Sequence, residues 1–153
     1  MSHLHEKIDF TSSVYIVYQN KVLLRMHDKY NIWLPPGGHV ELDEDPVQAA
    51  LREAKEEAGL DVKIWDGEKK FTAGGEDGVE LIPPISLHRH FISPTHEHIN
   101  MAYFGTSTTD VLAPAPGEST DGLKWCTRED LQTMDLRPDI KFYAELAIEK
   151  LKA

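Results

Sequence analysis

Residues 38–60 read GHVELDEDPVQAALREAKEEAGL. This stretch holds a helix with a signal at each end. Asp45 is a good N-cap, Pro46 suits the first helical position and Gln48 completes a capping box. Gly59 stands where a glycine ends a helix in the left-handed conformation. The helix is therefore expected from Pro46 to Ala58. At about 100° per residue, Val47, Ala50, Leu51, Ala54 and Ala58 share one face and meet a core. Glu53, Glu56 and Glu57 share a second face, because residues three and four apart are helical neighbours. Like charges within one turn repel, and Lys55 lies on another side. A hard divalent cation such as Mg2+, which takes oxygen ligands and keeps several waters, explains the grouping. The plain alternative is a solvated acidic face.

The residues before the helix favour the cation. Trp33-Leu34-Pro35-Pro36-Gly37-Gly38 ends a short apolar run in a proline-glycine turn. Its glycines permit either a positive φ or a close backbone approach. An acidic helix coupled to such a turn at a fixed offset is more than a wet surface. Arg52 lies four residues before Glu56 and is placed to orient that carboxylate. Glu44, just ahead of the N-cap, gains from the positive end of the helix dipole.

These residues resemble the Nudix box. Its pattern is a glycine, five residues, a glutamate, seven residues, then R-E-U-x-E-E-x-G-U with U aliphatic. The matching positions are Gly38, Glu44, Arg52, Glu53, Ala54, Glu56, Glu57, Gly59 and Leu60. Ala54 is smaller than the usual aliphatic residue, and Pro35 stands where the preceding turn commonly has leucine. The resemblance implies an α/β fold, a Nudix-type α/β/α sandwich with a mixed sheet and a central catalytic helix. It implies hydrolysis of a nucleoside diphosphate linked to another group. Glu53, Glu56 and Glu57 would hold Mg2+, with Mn2+ as a substitute, and the Gly38 carbonyl would join the metal shell. Arg52, Glu44, Gly37 and Gly59 would support them.

Composition sets the outer limits. The chain has 153 residues, enough for one domain with a sizeable core. Its net charge of −10 argues against bulk binding of nucleic acid or an anionic membrane, both of which use basic patches. An acidic protein that takes an anionic nucleotide also needs cations between the two. The single cysteine, Cys126, excludes an internal disulfide and fits a reducing, cytoplasmic setting. No signal peptide and no long apolar run is evident. A monomer and a homodimer are equally compatible with these features.

The remaining chain reads as scaffold. Residues 1–9 read as a loose tail in which His3 and His5 are no site. Phe10–Tyr18 and Lys21–Met26 read as a hairpin about Gln19-Asn20. Leu60–Trp65, Ile85–Ile92, Ile99–Ser107 and Leu123–Cys126 read as further strands. Residues 66–84 form either a mobile loop or a β excursion, the kind of segment that carries specificity. Thr127 and Asp130 cap a short helix over 128–134, and Arg137-Pro138 opens a last helix to Lys150.

The resemblance implies a general base that varies among members and often lies outside the box. Glu118 is the first candidate: it sits in a proline-glycine loop before Trp125, where the resemblance implies a carboxylate facing the metals. Glu97 is the second. Arg25, Tyr30 and His39 are candidate substrate contacts; Tyr30, Trp33, Phe71 and Tyr103 are rings able to stack on a base, although core packing is the commoner fate of such residues. His88, His90, His96 and His98 crowd two adjacent strands and raise a zinc site, yet no third ligand stands at a fixed spacing and the acidic helix already explains a metal. Contacts to substrate, or half-exposed strand positions, are the expected reading. The substrate is expected to be a small nucleotide, a canonical or oxidised (d)NTP, with ADP-ribose, nucleotide sugars and dinucleoside polyphosphates as alternatives. A nucleotide-sensing module without catalysis is the non-enzyme alternative, and the intact box speaks against it.

Overall fold

The computed structural model describes residues 7–67 and 74–152. Its elements are β1 (Ile8–Tyr18), β2 (Lys21–His27), β3 (Ile32–Leu34), β4 (Gly37–His39), α1 (Pro46–Ala58) and β5 (Val62–Ile64). After them come β6 (Gly74–Gly75), β7 (Gly78–Val79), β8 (Ser86–Ser93), β9 (His96–Ser107), β10 (Leu123–Cys126), α2 (Arg128–Thr133) and α3 (Pro138–Lys150). Gln19 and Asn20 both adopt positive φ, which suits the tight hairpin turn between β1 and β2.

The sheet is mixed and curled. Its main order is β10-β2-β1-β9-β5, with β1 and β9 parallel and the other pairs antiparallel. β1 shares one edge between β2 and β4, and β9 shares one edge between β5 and β8. The two central strands therefore carry different neighbours at their two ends, and the sheet opens there into a cleft.

Alternation along β1 builds both cores. Val14 and Ile16 face α1, in a cluster with Ala50, Ala54, Ala58 and Tyr103. Tyr15 and Val17 face α3, in a cluster with Phe104, Ile140, Ala144 and Ile148. A strand buried on both faces reads as a near-continuous apolar run, which is what Val14–Val17 is. The helices thus cover both faces of the sheet, the layered α/β arrangement expected from the sequence. The small residues Ala50, Ala54 and Ala58 let α1 lie close to β1, where the Ser12 hydroxyl donates to the Pro46 carbonyl at 2.6 Å.

Several expectations change. β9 begins at His96, three residues earlier than read, because its parallel pairing with β1 starts at Ile8↔Glu97. Tyr103 takes the commoner of the two fates read for it, core packing, with its side chain buried in the α1-side cluster. Trp33 packs against the α3-side core. Residues 74–79 form a small β ribbon. Phe71 and the histidines at positions 3 and 5 lie outside the described residues. No helix among the described residues is long and apolar enough to cross a membrane.

Candidate active site

The expected helix is present with its ends as read. Asp45 accepts from the Gln48 amide while the Gln48 side chain accepts from the Asp45 amide, and Gly59 closes α1 with φ +71°. The two glycines before it are not a turn. Gly37 and Gly38 lie in β4, paired with Ser13 and Ser12 of β1, and neither has a positive φ. What they supply is proximity. A Cβ at Gly37 would meet the Ser12 carbonyl, and one at Gly38 would meet the Glu53 carboxylate. Only glycine lets the helix carboxylates approach this backbone.

Arg52 is the hub of the acidic face. Its guanidinium holds Glu44 through Nη2 at 2.6 Å and Nε at 3.0 Å. Its Nη1 donates to both Glu53 at 2.9 Å and Glu56 at 3.2 Å, and its Nη2 donates to the His39 carbonyl at 3.0 Å. The partner predicted from spacing, Glu56, is thus one of several, and Glu44 is the tightest. Hydrogen bonding from Arg52 holds the Glu44 carboxyl below its ordinary value, and the same contacts raise the guanidinium.

Glu57 departs most from its expected place. It is only 6% exposed, turned under β4, while Glu56 is half in solvent. Its Oε1 accepts from the Gly37 amide at 2.8 Å and its Oε2 pairs with Arg25 Nε at 2.9 Å. Burial pushes its pKa up to about 7, opposed by Arg25 and the Gly37 amide and reinforced by the charges of Glu53 and Glu118.

Glu118 reaches this place from a distant loop. The loop docks on the C-terminus of α1, where helical carbonyls lack intrahelical partners. The Ala113 amide donates to Ala58 O at 2.9 Å and the Ala115 amide to Glu56 O at 2.8 Å. A turn from Ala115 to Glu118 then sets the carboxylate 4.0 Å from Arg25 Nη2. Arg25, a candidate substrate contact from the sequence, therefore stands between Glu57 and Glu118. Glu97 lies elsewhere: it is buried and held by Arg89 at 2.7 Å and Lys7 at 3.3 Å. Its hydrogen bond from Arg89 and its contact with Lys7 keep its carboxyl below its ordinary value.

Glu53, Glu56, Glu57 and Glu118 thus lie about two guanidinium groups, and one of the four carboxylates is driven towards neutrality. Oxygen donors with surplus negative charge are the donor set that Mg2+ prefers, so these residues fit a hard divalent cation.

On the other side of β4 lies a cavity of about 480 Å³. Its walls include Ser13, Tyr30, Gly37, Gly38, His90 and Tyr143. Tyr30 is partly exposed and stacks on His27 at 4.8 Å. His88 and His90 stack at 4.1 Å, and burial together with His88 and Arg137 lowers His90 to about 4. His90 is therefore neutral near pH 7. His96 and His98 do not join that pair. They turn to His39 and Asp9, a grouping that no spacing in the sequence announces, and His39 and His98 line the same cavity as His88 and His90.

The model of the NUDIX domain matches residues 10–146. A NUDIX-family hydrolase from Clostridium perfringens superposes with a TM-score of 0.81 at 36% identity, covering 97% of this chain and 100% of that one. An Ap4A hydrolase of C. elegans shares the fold at TM-score 0.59 and 21% identity, over 94% of each chain. Among curated proteins, an m7GpppN-mRNA hydrolase of Xenopus laevis is 53% identical over 45 residues, covering 26% of this chain and 15% of that protein. An asymmetrical bis(5'-nucleosyl)-tetraphosphatase of Sus scrofa is 50% identical over 40 residues, covering 26% of this chain and 27% of that protein. The matched stretch is thus a small part of each curated relative.

Proposed function

The chain belongs to the NUDIX family, and from that premise we propose that it is a Mg2+-dependent hydrolase that cleaves the pyrophosphate bond of a small nucleoside di- or triphosphate derivative. The observation that carries this reading is the surplus of carboxylates at one end of α1, with Glu57 pushed up to about 7. Glu53, Glu56 and Glu57 would hold the cation together with the Gly38 carbonyl. The cation supplies charge neutralisation at the phosphates and a more acidic bound water.

The chain's own residues do the rest. Arg52 fixes the acidic face and ties it to the His39 carbonyl, so the carboxylates keep their spacing when no charge is shared among them. The cavity beyond Gly37 and Gly38 takes the nucleoside, with Tyr30 and the neutral His90 offering ring faces to the base. Gly37 and Gly38 line both the cavity and the carboxylate site, so phosphates attached to that nucleoside reach the acids directly. Glu118, held beside Arg25, takes the proton from the attacking water.

The test is a panel of (d)NTPs, oxidised (d)NTPs, ADP-ribose, nucleotide sugars and dinucleoside polyphosphates, with products identified. Release of a nucleoside monophosphate from at least one supports the proposal, and no turnover with either Mg2+ or Mn2+ sinks it. A second reading has a specific support: the curated relatives that share the local sequence are named for substrates with a polyphosphate bridge between nucleosides. Preference for a dinucleoside polyphosphate over every (d)NTP would select it.

Two further outcomes follow. Glu118→Gln is expected to lower kcat by about 10²–10⁴-fold, the usual share of a proton-transfer group, with KM little changed. A wild-type rate and pH profile in that variant would remove Glu118 from the chemistry.

The second outcome concerns stability. Because the folded pKa of Glu57 is raised, its contribution to stability is fully present below its ordinary value of 4.5 and lost as pH rises through about 7. A cation that takes the ionised form restores it. The rise in Tm on adding Mg2+ should therefore grow between about pH 6 and about pH 8. A rise independent of pH would contradict this placement of the charge.

A further inference from the structure

β4 has two faces. Gly38 faces Glu53, so alternation turns the His39 side chain to the opposite side of the strand. There it meets residues from two other strands. β1 and β9 run parallel with Asp9 opposite His98, and His39 lies opposite Thr11, two residues along from Asp9. His96 lies two residues before His98 and shares its face.

The side chains converge at their tips. His96 Nε2 lies 3.1 Å from His98 Nε2 and 3.2 Å from Asp9 Oδ2. His39 Nε2 lies 3.6 Å from the same carboxylate oxygen. One ligand atom from each of the four residues falls within 4.8 Å of every other. A regular tetrahedron with metal–ligand bonds of about 2.0–2.1 Å has edges of about 3.3–3.4 Å. The measured separations straddle that edge. His39 completes the group from the solvent side: its side chain is 61% exposed, and its ring packs edge-on against His98 at 5.0 Å.

The pairing of Nε2 atoms needs explanation. Two imidazole nitrogens facing each other repel through their lone pairs unless one proton or one cation lies between them. A carboxylate beside them disfavours an anion and favours the cation. Three imidazoles with one carboxylate are a set that selects Zn2+ or a similar transition ion over Mg2+.

We propose that Asp9, His39, His96 and His98 form a tetrahedral site for a Zn2+-class ion, separate from the carboxylates of α1. Four protein ligands leave no open position, so the ion is structural. It ties the start of β1 and the start of β9 to β4. That brace bears on the strand whose glycines separate the cavity from the acidic face, and on the His39 carbonyl held by Arg52.

The test uses the full chain stripped with chelator and titrated with Co2+ in excess Mg2+. The expected result is one equivalent bound with the intense visible spectrum of tetrahedral Co2+, displaced by Zn2+ and indifferent to Mg2+. His96→Ala/His98→Ala should abolish the spectrum, and Asp9→Asn should weaken binding by more than the ~10–100-fold typical of outer-shell partners. Glu56→Gln and Glu57→Gln should leave the spectrum intact. His39→Ala serves as the exposed single variant, with circular dichroism confirming that each metal-free protein is folded. Absence of a tetrahedral spectrum in the wild type overturns the proposal. So does a spectrum that survives the double histidine variant in folded protein, or one that disappears with the α1 glutamates.

Discussion

Glu57→Gln is expected to lower kcat by about 10³-fold while leaving the protein folded and no less stable at pH 8. The rate follows from the proposed role. Losing one carboxylate from the cation site forfeits several kcal/mol of charge stabilisation, and about 4 kcal/mol corresponds to about a thousandfold. The stability follows from geometry. Glutamine keeps an oxygen for the Gly37 amide, so β4 stays attached to α1. Removing a buried carboxylate usually strands its partner, but Arg25 is partly exposed and retains Glu118. Against that loss stands the cost of keeping Glu57 ionised. A carboxyl raised from 4.5 to about 7 destabilises the folded state by something on the order of 3 kcal/mol once ionised. The second effect offsets the first. Turnover with Mg2+ and denaturant midpoints at pH 8 check both halves. Glu56→Gln, at a half-exposed position, should lose rate without a change in stability. Full activity in both variants would remove these residues from the cation site.

Gly59→Ala is expected to destabilise the protein by about 3 kcal/mol, lowering Tm by roughly 6–12 °C for a chain of this size. Two mechanisms contribute. The residue sits at φ +71°, which costs an L-residue with a Cβ about 1–2 kcal/mol. The added methyl would also occupy the position of the Ala113 carbonyl. Relieving that overlap moves the loop that donates to Ala58 and Glu56, and two hydrogen bonds of about 1 kcal/mol each are at risk. The same loop carries Glu118, so kcat should fall with stability. Gly59→Asn separates the mechanisms. Asparagine tolerates the left-handed conformation better but still brings a Cβ, so little of the loss should be recovered. Recovery of most stability in Gly59→Asn would show that φ alone set the cost. A wild-type Tm and kcat in Gly59→Ala would mean that the loop does not depend on this approach.

The two substitutions bear on different kinds of information. The limits of α1 follow from Asp45, Pro46, Gln48 and Gly59, all within reach of the helix they bound. Such local signals need no tertiary partner. The strands β1, β2 and β10 follow in the same way from short runs of β-branched, aromatic and aliphatic residues, with Gln19-Asn20 turning the first into the second. The burial of Glu57 does not. A helical period puts it beside Glu53, but only the position of β4 decides that it turns under a glycine strand towards Arg25. Glu97 misleads for the same reason, because its partners Arg89, in the middle of β8, and Lys7, just ahead of β1, are set beside it by the sheet.

From the sequence alone come the capped helix, the spacing of its acids and the family they resemble, because each rests on residues within a few helical turns. The tertiary structure decides what those acids face. Docking of the 113–118 loop on α1 brings Glu118 to Arg25, and the parallel register of β1 with β9 brings Asp9 to His98. Parallel strands meet only across a long crossover, and no local pattern records which residues will stand opposite each other when the crossover closes.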